Sequence, residues 1–129
     1  MKGRTTTLLV LLILMIVFAA GLFAYNYAVN SPFRISSKEA KRRIKAKEVA
    51  AVLDVRTDLE RETLGSYPNS VHIQSADLER EMPTRYPDKT TPFVVHCNTG
   101  HRARMATEKL QRMGYKNAAY ISGTHLSLM

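Results

Sequence analysis

Residues 93–102 read Phe93-Val94-Val95-His96-Cys97-Asn98-Thr99-Gly100-His101-Arg102. Phe93 to His96 is a short apolar, β-branched run, the pattern of a buried strand. A brief polar loop containing one glycine follows. Beyond it Ala103, Ala106, Leu110 and Met113 recur at spacings of 3, 4 and 3. That period places them on one face of a helix running from Arg102 to Met113, with Gly114 as its C′ residue. A strand feeding a helix through a tight loop is the unit of a parallel α/β sheet. In such sheets ligands bind beyond the carboxyl ends of the strands. Cys97 occupies that place.

Working outward, Val49–Asp54 (VAAVLD), Val71–Ile73 and Ala118–Ile121 read as further short strands, and Phe33–Ile35 as a strand fragment. Ser36 followed by Glu39 has the spacing of a capping box and predicts a helix to about Lys47. Asp58–Leu64 and Ala76–Met82 read as short helices, the second ended by Pro83 and Pro87. Gly65–Ser70 (GSYPNS) is a turn. Alternating strands and helices at this spacing predict an α/β domain with a mainly parallel central sheet covered on both faces.

The chain has 129 residues, and Thr5 to Val29 contains no Asp, Glu, Lys, Arg or His. Leu8–Tyr25 is long enough, with its flanks, to supply the ~20 apolar residues of a bilayer-spanning helix. Tyr25 and Tyr27 sit where interfacial aromatics belong. Residues 1–30 are therefore read as an N-terminal transmembrane anchor. A cleavable signal peptide is the competing reading, but the apolar run exceeds the usual h-region of ~7–15 residues. The protein is expected to be a single-pass membrane protein. Its orientation is left open, because basic residues flank the segment on both sides. Residues 31–129 then form one domain of ordinary small size.

Of 19 Lys and Arg, seven lie between Arg34 and Lys47, where Glu39 is the only acid. A basic cluster close to an apolar span suggests anionic lipid headgroups as a partner. No interleaved aromatics or nucleic-acid motif accompany it, so nucleic acid is not expected.

Cys97 is the only cysteine. Its solitude excludes an intramolecular disulfide, a Cys-x-x-Cys pair and a multi-cysteine zinc site. His96 should point away from Cys97 along the strand, and no metal or other cofactor is expected. A tight loop over Asn98, Thr99, Gly100 and His101 would aim backbone N–H groups inward as an anion-binding nest. The helix dipole and the Arg102 charge add to it, and Gly100 permits a positive φ. These features favour thiolate over thiol and mark Cys97 as a nucleophile toward sulfur or phosphorus. A buried structural cysteine is the bland alternative.

Four segments together resemble a single-domain rhodanese, most nearly the small phage-shock-type sulfurtransferases. Leu53-Asp54-Val55-Arg56 resembles the family's Asp-Val-Arg element. Gly65–Ile73 matches its Gly-His-Ile-Pro-Gly-Ala stretch in spacing. Cys97–Arg102 resembles the six-residue Cys-x-x-Gly-x-Arg active-site loop, and Leu110–Tyr115 the close of the next helix. Departures are Ser66 for His, Asn69 for Gly, Ser122-Gly123 for Gly-Gly, and no counterpart of the Trp-bearing closing helix. The resemblance implies a three-layer rhodanese-like domain over 31–129. It implies that Cys97 accepts sulfane sulfur as a persulfide held by amides from Asn98 to Arg102. Arg102 would position an anionic donor such as thiosulfate. Cyanide or a thiol, including a protein thiol, would accept the sulfur. Asp54 and Arg56 would brace the loop as a salt bridge rather than react.

Two other readings follow from the same residues. A related phosphatase is disfavoured, because the spacing from Cys97 to Arg102 is one residue short of a Cys-x5-Arg loop. A membrane-tethered binding module with little turnover is the reading from a different class.

Overall fold

The computed structural model describes residues 2–129. It divides the chain into two compact units, residues 1–30 and 31–129.

The first unit is one helix, α1 (Lys2–Val29), long and apolar enough to cross a membrane. Three of its polar side chains are turned onto the helix's own backbone. Thr6 and Thr7 donate to the carbonyls of Lys2 and Gly3, and Asn26 to that of Leu22. Such back-bonding satisfies polar groups where a lipid environment offers no partner. A signal sequence meets the same criteria of length and composition.

The second unit contains α2 (Ser37–Lys45), β1 (Ala51–Asp54), α3 (Asp58–Leu64), β2 (Val71–His72), α4 (Leu78–Arg85), β3 (Phe93–His96), α5 (His101–Arg112) and β4 (Ala118–Tyr120). Single 3-10 turns lie at Ser75–Asp77 and His125–Leu128. All strands are parallel, in the order β2-β1-β3-β4. The central β3 is buried on both faces, and its period-two alternation divides the core. Phe93, Val95 and Cys97 face a layer containing Leu78 and Met82 of α4 and Ala103, Ala106 and Leu110 of α5. Val94 faces the opposite layer, with Ala40 and Ile44 of α2, Tyr67 and Leu128. The expected parallel sheet with two covered faces is present.

Some boundaries differ from expectation. Phe33–Ile35 forms only a bridge, Arg34 beside Tyr120, with Ile35 N donating to the Tyr120 carbonyl. α2 stops at Lys45, and Lys47 takes a left-handed conformation with φ 58°. Pro83 does not end its helix but lies within α4. In so short a helix Pro83 forfeits one bond, and Tyr86 N still closes the end on the Met82 carbonyl. The capping pattern at Ser36 is half realised. Its hydroxyl accepts from Glu39 N, but the Glu39 carboxylate turns to Arg42 and Arg43. The complete box belongs to Thr57 and Glu60 at the start of α3. Asn69 adopts a left-handed conformation, φ 63°, which asparagine tolerates better than most residues.

Candidate active site

Cys97 follows directly on β3 and is fully buried. The chain turns sharply at Gly100, whose φ is 90°. A Cβ there would stand 2.8 Å from Ser122 Cα, so both conformation and space require glycine. The turn brings two backbone N–H groups onto the sulfur. Gly100 N lies 3.1 Å and Ala103 N 3.3 Å from Cys97 Sγ. Ala103 belongs to the first turn of α5, where N–H groups have no helical partner. The sulfur thus occupies the anion-binding end of a helix and can hold negative charge there. The sequence pointed to amides within residues 98–102. Ala103, one residue further on, was not among them.

The loop is fixed from below by the end of β1. Asp54 and Arg56 form a fully buried pair, Arg56 Nη2 to Asp54 Oδ2 at 2.8 Å and Nε to Oδ1 at 2.9 Å. Burial by itself would raise the Asp54 carboxyl, but the bonds from Arg56 outweigh it and hold the group at about 2. Arg61 adds a bond to Asp54 at 3.1 Å and reaches Ser70. Arg56 also donates to the Gly65 carbonyl at 2.7 Å and to Asn98 Oδ1 at 3.3 Å. The structure thus joins Asp54 and Arg56 as a salt bridge, and Arg56 reaches the loop through Asn98.

The other side of Asn98 leads to Glu60. Asn98 Nδ2 donates to Glu60 Oε1 at 2.9 Å. Arg102 donates to the same carboxylate from both terminal guanidinium nitrogens, Nη2 at 2.6 and Nη1 at 2.7 Å. These bonds hold the Glu60 carboxyl at about 2, with a further contribution from Thr57 N. Arg102, expected to face an anionic donor, is here bound by the protein's own carboxylate. Glu60 was not singled out from the sequence, where it reads as one of several acids on a polar helix. The Thr57-x-x-Glu60 capping spacing was the available signal. Thr99 and His101, which flank Gly100, have exposed side chains.

Behind the loop, His96 is fully buried on the opposite face of β3 from Cys97. Its ring lies 6.3 Å from that of His125, and neither His96 ring nitrogen makes a well-formed hydrogen bond. Desolvation pushes His96 down to about 4, against the attraction of Asp54. His125 is lowered by desolvation and then by the Arg56 charge. No group of three or more metal-ligating side chains occurs among the described residues.

The rhodanese-like domain family matches residues 36–124, which take in the sheet, the loop and the brace. The chain belongs to that family. Among solved structures it is similar to a rhodanese-related protein from Thermoplasma volcanium, with 28% identity and a TM-score of 0.60 over 74% of this chain and 88% of that one. It is also similar to a protein of unknown function, possible tyrosine phosphatase, from Rhodopseudomonas palustris (23% identity, TM-score 0.65, 83% and 84% covered). A human single-domain sulfurtransferase shares 21% identity with a TM-score of 0.62, over 75% and 95%. The last two likenesses concern the fold. No curated protein sequence matches the chain.

Proposed function

We propose that this protein is a membrane-anchored sulfurtransferase that moves sulfane sulfur through a persulfide on Cys97. The observation that carries the reading is the pair of backbone N–H groups, Gly100 and Ala103, converging on Cys97 Sγ at the start of α5. With thiosulfate as donor, the Cys97 thiolate attacks the outer sulfur. The S–S bond of the donor breaks, and sulfite leaves with its electron pair. Cys97 then carries an anionic terminal sulfur, which the loop amides suit. A thiolate or cyanide attacks that sulfur, and the Cys97 thiolate leaves. The protein ends as it began, so the cycle requires no external oxidant or reductant. A single cysteine suffices, because no resolving thiol is needed. Helix α1 would hold the domain at a bilayer.

Intact-mass measurement of the full chain after thiosulfate treatment tests the reading. The expected result is a gain of one sulfur atom, removed by a thiol or cyanide and missing in Cys97→Ser. No gain with any of several sulfane donors overturns it.

A second reading, a tethered rhodanese-like module that docks a partner with little turnover, is favoured by one observation. Arg102 is occupied by Glu60 rather than open to an anionic donor.

A further inference from the structure

The basic cluster of α2 is divided in two by its ion pairs. Arg42 is bound to Glu39 and Glu48, and Arg43 to Glu39. These charges are internally neutralised. Lys38, Lys41 and Lys45 recur at spacings of three and four, on one face of the helix. All three are exposed and make no ion pair among the described residues. They line an open groove of about 510 Å³ whose apolar side is supplied by Ile44, Tyr67 and Leu128. Leu128 belongs to the final 3-10 turn, tied to α2 by the Ser37–Ser127 hydroxyl pair at 2.9 Å. Its neighbours Leu126 and Met129 are exposed, 67% and 61%.

We propose that this surface, the Lys38–Lys41–Lys45 face with the Leu126–Met129 turn beside it, docks on an anionic phospholipid bilayer. Uncompensated lysines next to exposed aliphatic side chains are the combination that binds headgroups and the acyl boundary together. Leu126 and Met129 would have no role at a purely polyanionic partner. The chain itself supplies the proximity. Only eight steps separate Val29, the end of the apolar helix, from Ser37, the start of α2. At ~3.4 Å per step the start of α2 stays within about 27 Å of the end of that helix. The inference rests on the reading of α1 as a retained anchor.

The test uses the full chain in nanodiscs of phosphatidylcholine alone or mixed with phosphatidylglycerol, with lysine acylation read by peptide mass spectrometry. Lys89 and Lys116, elsewhere on the domain, are internal controls. Lys38, Lys41 and Lys45 are expected to react about fivefold more slowly in the anionic discs, and to recover in high salt. Amides 126–129 should gain exchange protection in the same discs. That protection should be lost in the Lys38→Gln/Lys41→Gln/Lys45→Gln variant. Equal rates in both discs, or equal slowing at Lys89 and Lys116, overturn the proposal. Slowing by soluble polyglutamate equal to that by the anionic discs, with no protection at 126–129, overturns it in favour of an acidic protein partner. A chain that does not incorporate into discs fails the anchor reading first, and that failure is visible before any lysine is measured.

Discussion

The Glu60 carboxylate closes on the Arg102 guanidinium through two bonds of 2.6 and 2.7 Å, across the rim of the loop that carries Cys97. The negative charge that a donor would bring to Arg102 is thus already supplied by Glu60 of α3. An anionic donor must displace Glu60 or do without Arg102.

Glu60→Gln should therefore strengthen use of an anionic donor. Gln keeps the side-chain acceptor of the capping box but gives up the charge. If the partly exposed pair is worth about 1 kcal/mol, KM for thiosulfate should fall about fivefold, with kcat changed less. Steady-state sulfur transfer by the two proteins measures this, and an unchanged or raised KM counts against competition at Arg102.

Cys97→Ser should abolish transfer while preserving the fold. The side chain is nearly the same size, and a hydroxyl can accept from the Gly100 and Ala103 amides as the sulfur does. Loss of more than about a thousandfold in rate is expected for removal of a nucleophile. Comparable thermal unfolding of both proteins separates chemistry from folding.

Gly100→Ala should damage the loop and the stability together. The residue sits at φ 90°, and its new Cβ would meet Ser122 backbone atoms at 2.8 and 3.1 Å. Strain and overpacking of this kind typically total about 2–4 kcal/mol. Urea unfolding would show a lower midpoint, and persulfide loading should fall with it.

His96 should make stability depend on pH in a defined window. Its folded value, about 4, is below its ordinary one because burial disfavours the imidazolium. The unfolded chain binds the proton more readily, so stability is fully present above ~6.5 and is lost as pH falls toward 4. The full effect is on the order of 3 kcal/mol. Denaturant unfolding between pH 4 and 7 measures the slope, and His96→Leu should flatten it. Asp54 and Glu60, both held near 2, act in the same direction only at more acid pH.

Asp54→Asn should be more harmful than the loss of any surface pair. It leaves the Arg56 guanidinium buried without its anion, a change that costs about 3–5 kcal/mol. Arg56→Met, which removes the charge as well as the bonds to Asn98 and Gly65, would leave Asp54 buried beside Arg61 alone. Calorimetry of the two variants and the double variant would show strong coupling, with the double variant less destabilised than the sum.

The strand, loop and helix around Cys97 were legible because backbone requirements are written locally. β-Branched residues, a glycine at the positive φ, and small residues at helical spacing all lie within twenty positions. The Asp54–Arg56 pair came only through the resemblance of Leu53–Arg56 to the family's Asp-Val-Arg element. Glu60 was not legible, since its partners Asn98 and Arg102 are some forty positions away. Only the Thr57-x-x-Glu60 capping spacing sets Glu60 apart from the other acids of that helix. Pro83 misled because its usual effect assumes a helix long enough to need every bond. Arg42 and Arg43 illustrate the converse, where counting charge overstated a basic surface that Glu39 and Glu48 partly neutralise.

The complete burial of Cys97 sets a clock on the protein. With no accessible surface at Cys97, a donor of the proposed reaction would reach the sulfur only after the segment above it opens. Since no second thiol competes for label, the alkylation rate of this one atom reports how often the door is ajar. A match between that frequency and the maximal turnover number would identify motion of the loop, rather than cleavage of a sulfur bond, as the slow step.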